Sequence, residues 1–249
     1  MDNNYVLNEE EMIIPEKMNI FKRLANLFFS PKKLFSYIRN KPSILFPIII
    51  LCIGTIVVYY FTNSLTQGAQ LDLLYENYKN MGMDMSPDEI KAIMKVFSIV
   101  MLAASPFIVL AGWAISTLVL YLIFRLANCE KGLKKYFSMM AYISLIPLIG
   151  SIIHILFLYY TGADPSSASV TSLASLIDAQ SVGSVLFSLA ASLEFFSIWR
   201  YILIGIGFVY VGRVEKKKSY TITLILFLIT VLLNIGLAAV QNQFAGFMP

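Results

Sequence analysis

Four polar residues stand inside otherwise apolar stretches of this chain: Glu194, Arg200, His154 and Asn234. A carboxylate, a guanidinium and an imidazole so placed could bind an ion, carry a proton or pair with charges on a partner. A charged side chain near the middle of a membrane helix costs about 2.5–3.5 kcal/mol on insertion scales, so it faces a bundle interior or a wet cavity and takes a partner. Glu194 and Arg200 are separated by roughly 9 Å along a helix and about 120° around it. They are not an i,i+4 pair, so each needs a partner on another helix.

The elements that must position them are membrane helices. The 249 residues are 58% hydrophobic and only 14% charged, with a mean hydropathy of +0.73. Those values define an all-α integral membrane protein rather than a soluble domain. Apolar runs predict five spans, at about 43–62, 96–127, 136–160, 184–212 and 219–240, within a membrane domain over 42–241. The fourth, read as one helix, carries Glu194 and Arg200; the third carries Pro147 and His154, and the fifth Asn234. Ser86-Pro87-Asp88-Glu89 is a helix start, with Ser as cap, Pro at the first position and Glu three residues after the cap. From there a helix can run to Ala127, longer than a membrane requires, with Pro106 expected to kink it. The 63–86 connection is polar, with Leu71, Leu74, Tyr75 and Tyr78 at the spacing of a short extramembrane helix.

Before the first span, residues 1–16 form an acidic tail and 17–41 an amphipathic segment, broken at Ser30-Pro31 into two short helices. Lys22, Arg23, Lys32, Lys33 and Arg39 alternate with apolar residues there, the pattern of helices lying in the headgroup layer. Lys216, Lys217 and Lys218 form a second basic strip. Both strips flank spans and suit anionic lipid headgroups rather than nucleic acid. The start of the chain lacks a basic region followed by an apolar core, so the first span is expected to direct insertion. Of nineteen Lys and Arg, seven lie in 1–42, four in 125–135 and four in 213–218. The 63–95 stretch holds three against five acidic residues, and 161–183 and the closing 242–249 tail hold none. Alternate connections are basic, which places the N-terminus in the cytoplasm and the C-terminus outside.

Counted from the basic ends at 1.5 Å per residue, Arg200 and Asn234 lie at about 20 and 22 Å, and Glu194 and His154 at about 28 and 27 Å. Two polar layers follow, Arg200 with Asn234 and Glu194 with His154. Such groups often simply hold helices together, at around 0.6 kcal/mol per contact; a proton- or ion-linked role for Glu194 and a partner-docking role are the alternatives. Gly205 and Gly207 permit close helix approach. Cys52 and Cys129 fall beside different apolar layers, which argues against a disulfide or a metal site. HExxH, GxSxG and Walker A patterns are missing, and a single histidine does not make a zinc hydrolase. No catalytic constellation and no cofactor site are legible.

Three stretches carry a resemblance: LFFSPKKLFSYIRNKPSILFP with Pro31, Phe35 and Pro42; AYISLIP with Tyr142 and Pro147; and LEFFSIWRYILIGIGF with Glu194, Phe196, Trp199 and Gly207. In order and spacing they resemble the Yip1-domain membrane proteins, over residues 25–240. The acid of that third motif is Asp in the family pattern; this chain has Glu and adds Arg200 after the Trp. The resemblance implies a five-span bundle with a cytoplasmic N-terminus. It implies little about activity: eukaryotic relatives take part in vesicle traffic and contact small GTPases, and some bacterial ones assist export systems. The expectation is a non-enzymatic accessory or scaffold of the cytoplasmic membrane. Its partners would be anionic inner-leaflet lipids and another membrane complex, such as an ABC-type exporter, or a second copy of itself. The rival is an autonomous permease for a small or lipidic substrate, with Glu194 as a proton-linked carboxylate.

Overall fold

A computed structural model describes residues 18–83, 85–163, 168–177 and 179–245. The acidic tail over 1–16 lies outside the described residues. Among the described residues the architecture is helical, with one isolated bridge between Ser172 and Glu194. Two short helices, α1 (Ile20–Phe29) and α2 (Pro31–Asn40), precede a long hairpin of α3 (Leu45–Asn80) and α4 (Pro87–Leu126). Then come α5 (Leu133–Ile143), α6 (Leu145–Thr161), α7 (Ala179–Ser192), α8 (Phe195–Tyr210) and α9 (Lys216–Ala245). Four segments are long and apolar enough to cross a membrane: α3, α4, α5 with α6, and α9; α7 and α8 are shorter apolar helices.

The first helix does not stop near residue 62. It continues to Asn80 because Leu71, Leu74 and Tyr78 recur at helical spacing and half-bury against α4, where Ile90 and Met94 are buried. Asn63 Oδ1 accepts from Ser98 Oγ at 3.0 Å, which sets the register between the two arms. The α4 start is as its sequence dictates: Ser86 accepts from the Glu89 amide while Glu89 accepts from the Ser86 amide, a complete capping box. Pro106 is accommodated inside α4. At 1.5 Å per residue the arms measure about 54 and 60 Å, against about 30 Å of bilayer hydrocarbon.

The apolar stretch 184–212 is not one helix. α7 and α8 separate at Leu193 and Glu194, where Glu194 takes an extended backbone (φ −102°, ψ 133°), and Gly183 (φ 73°) interrupts α7 near its start. The cause is local: the Glu194 side chain accepts the first free amides of α8 and starts a new helix. Ser144 marks a lesser joint between α5 and α6, because Pro147 has no N–H to give the Ile143 carbonyl. α9 runs four residues into the expected closing tail; residues 246–249 lie outside the described part.

Packing is uneven along the molecule. One end holds a dense core where α2, α5 and α8 meet the last turns of α4: Leu34, Phe35, Ile38, Phe124, Tyr136, Met139, Tyr142 and Phe208 are all 1% exposed or less. Phe124 stacks on Phe208 with centroids 3.6 Å apart. Within this cluster the apolar face of α2 packs against α5 and α8, with Leu34, Phe35, Tyr37 and Ile38 buried. α1 keeps Phe21 and Phe29 exposed. Away from this core, α3, α4 and α9 turn most of their apolar residues outward.

Candidate functional site

The break between α7 and α8 brings two of the four polar residues of the sequence reading, Glu194 and His154, to one cavity. Glu194 Oε1 accepts from the Phe196 amide at 2.9 Å and Oε2 from the Ser197 amide at 2.6 Å, so the carboxylate caps α8. Thr171 Oγ1 donates to the same Oε1 at 2.6 Å. The 169–176 stretch is held against the break by backbone: the Phe195 amide bonds Thr171 O at 3.0 Å and the Leu173 amide bonds Leu193 O at 3.2 Å. Facing this cap, α6 presents Pro147, Gly150, Ser151 and His154, which are i, i+3, i+4 and i+7 and so share one side of the helix. With Ser169, Glu194 and Ser197 they line a cavity of about 250 Å³. Gly150 lets α8 approach: a Cβ there would sit 2.8 Å from Phe196 Cδ2.

His154 and Glu194 thus share a cavity, and His154 Nδ1 is buried without a hydrogen-bond partner. The other depth-matched pair is not joined by a hydrogen bond. Asn234 Nδ2 donates at 3.4 Å to Ser192 Oγ on α7, and Arg200 keeps a buried Nε with no partner. Trp199 Nε1 is likewise buried and unpartnered. Among the described residues no group of three or more His, Cys, Asp or Glu is placed to hold a metal.

The remaining motif residues serve the core. Pro31 opens α2, Phe35 and Tyr142 are buried, and Pro42 sits in the connection to α3. Gly207 lies so close to Met139 that a Cβ would collide with its sulfur. Lys22, Lys32, Lys33, Lys216, Lys217 and Lys218 are exposed, Lys218 with Glu215 at 3.3 Å. Arg23 and Arg39 also have partners within the protein. Arg23 donates to Met18 O at 3.1 Å and Tyr37 Oη at 3.0 Å, and its guanidinium lies 4.9 Å from the Tyr37 ring.

Arg39 reaches Glu130 through Nε at 3.1 Å and Nη2 at 3.3 Å, and Lys135 Nζ meets the same carboxylate at 2.8 Å. Glu130 therefore ties α2 to the α4–α5 connection. It was legible only as the sole acid in a basic connection, a weak signal. Burial alone would raise its pKa, but the bonds from Lys135 and Arg39 outweigh that and lower it. Because the folded pKa is depressed, this stabilisation is complete above the unfolded value of about 4.3 and is lost as pH falls through the lower folded value. Glu130→Gln should cost about 1 kcal/mol at pH 7, a figure kept small by the exposure of the carboxylate. Thermal unfolding of both proteins from pH 7 to 3 should show the difference closing in acid; a gap independent of pH would refute it.

The fold and site together define a helical membrane protein with a dense core at one end and a polar, capped helix break one helix length away from it. The chain belongs to the Yip1-domain family, whose family model matches residues 25–238 and takes in all the motif residues above. It is 26% identical over 223 residues to "Membrane protein YknW" of Bacillus subtilis (strain 168), covering 90% of this chain and 92% of that protein. No solved structure matches.

Proposed function

We propose that this is a non-enzymatic accessory or scaffold of the cytoplasmic membrane, with five crossings, a cytoplasmic N-terminus and an external C-terminus. Lys and Arg concentrated in alternate connections support that orientation. A continuous antiparallel track supports counting α7 and α8 as one broken crossing. Ser219 Oγ donates to Gly205 O at 2.8 Å, Tyr201 and Thr230 hydroxyls meet at 2.6 Å, and Asn234 meets Ser192 at 3.4 Å. Residue numbers fall on α7–α8 as they rise on α9, and α9 contacts both helices.

The α3–α4 hairpin carries the scaffold reading. Its arms overshoot the hydrocarbon layer by about 25 Å, and its far end exposes Leu73, Tyr75, Met81 and Met83. An arm of that shape suits contact with the outward-facing part of another membrane complex, an ABC-type exporter being the candidate. The basic end, with exposed lysines and Phe21 and Phe29 on α1, suits an anionic leaflet. The test is purification in mild detergent of the full chain beside a variant with seven residues removed from each arm beyond the Asn63–Ser98 contact. A stoichiometric membrane partner lost from the shortened variant supports the reading. A partner-free protein that takes up substrate under a proton gradient, and stops on Glu194→Gln, would replace it with the permease.

A further inference from the structure

We infer that the cavity between α6 and α8 is a binding site for a primary ammonium group, with Glu194 as its counter-charge. The hydrogen-bond accounts of the lining residues lead there. Thr171 spends its only hydroxyl proton on Glu194, so in the 3.1 Å contact between Ser169 and Thr171 it is Ser169 that donates. Ser151 spends its proton on Pro147 O at 3.1 Å. These donors are committed, whereas the oxygens of Ser151 and Ser169, which line the cavity, can still accept.

The carboxylate has about four acceptor positions, of which Thr171 and the Phe196 and Ser197 amides take three. The Ser197 hydroxyl and the His154 imidazole, with its buried unpartnered Nδ1, complete the lining. Among the described residues no lysine or arginine lines the cavity. An acceptor-rich pocket holding one negative charge calls for a guest that is cationic and only donates. A primary ammonium has three donors and no acceptor. A quaternary ammonium has the charge without the donors, and a carboxylate or phosphate would set a second negative charge against that of Glu194. At about 250 Å³ the cavity holds several times a water's share of about 30 Å³, room for an aminoethyl group. That group has two sources, an aminolipid headgroup or a free amine. The inference does not depend on the partner reading and survives its failure.

The full chain is tested in nanodiscs of phosphatidylcholine and phosphatidylglycerol, titrated calorimetrically with ethylammonium and, separately, tetramethylammonium. In a second arm the protein is taken from bilayers holding equal phosphatidylethanolamine, phosphatidylcholine and phosphatidylglycerol, and retained lipid is read by native mass spectrometry. At least one amine source should bind, its quaternary counterpart at least tenfold more weakly; the arm that responds names the source. Glu194→Gln should weaken binding at least tenfold. So should Ser197→Leu, which fills the cavity but keeps the capping amide if the first variant folds poorly. Binding of neither amine, equal binding of quaternary and primary forms, or an unchanged Ser197→Leu would each overturn the assignment.

Discussion

Glu194→Ala is expected to destabilise the protein by about 3 kcal/mol, whereas Glu194→Asp should stay within about 1 kcal/mol of the natural chain. The alanine leaves the Phe196 and Ser197 amides and the Thr171 hydroxyl without their acceptor, at a place where the backbone has already left the helix. Unmade hydrogen bonds at a part-buried site cost more than the mean value of a made one. Aspartate is among the best N-caps, since its shorter carboxylate still reaches the second or third amide. The two backbone bonds pinning 171–173 to 193–195 should loosen with the cap, so hydrogen exchange there should accelerate in the alanine variant alone. Unfolding in detergent, monitored by thiol accessibility of buried Cys129, gives the stability order. Equal stability of the alanine and aspartate variants would remove Glu194 from its capping role.

Apolar runs and loop charge made the helical membrane class legible, and the Ser86 capping box marked one helix start to the residue. Hydropathy could not show that Glu194 ends a helix rather than sitting inside one. An acid in an apolar run looks the same either way until the amides it accepts are known. The extension of α3 to Asn80 was hidden for a related reason. Leu71, Leu74 and Tyr78 show a helical stripe, but only the facing stripe on α4 makes that stripe continuous with the span. Depth counting brought His154 and Glu194 to one level, and the structure puts both on one cavity. The same arithmetic says nothing of azimuth. Asn234 meets Ser192, one residue from the break, because α9 runs alongside α7 there. Composition records the charges of Arg23 and Arg39 but not the Tyr37 hydroxyl and the Glu130 carboxylate that meet them across the fold.

Gly150→Ala should cost about 2–3 kcal/mol, and the reason lies in which part of Phe196 it strikes. The new Cβ would stand 2.8 Å from Cδ2, 3.0 Å from Cγ and 3.2 Å from Cβ of that side chain. A Cβ cannot swing aside without its backbone, and the Phe196 amide is held by Glu194. The strain therefore passes into the first turn of α8 and the cavity wall. Gly205→Ala is the control. There the obstacle is the ring of Tyr220, 2.9 Å away but 43% exposed and free to rotate, so the cost should stay below about 1 kcal/mol. Shortening the obstacle should show the coupling: Phe196→Leu combined with Gly150→Ala should be more stable than the sum of the single changes predicts, by at least about 1 kcal/mol. If the two changes simply add, α6 and α8 do not meet through this contact, and the cavity between them owes its shape to something else.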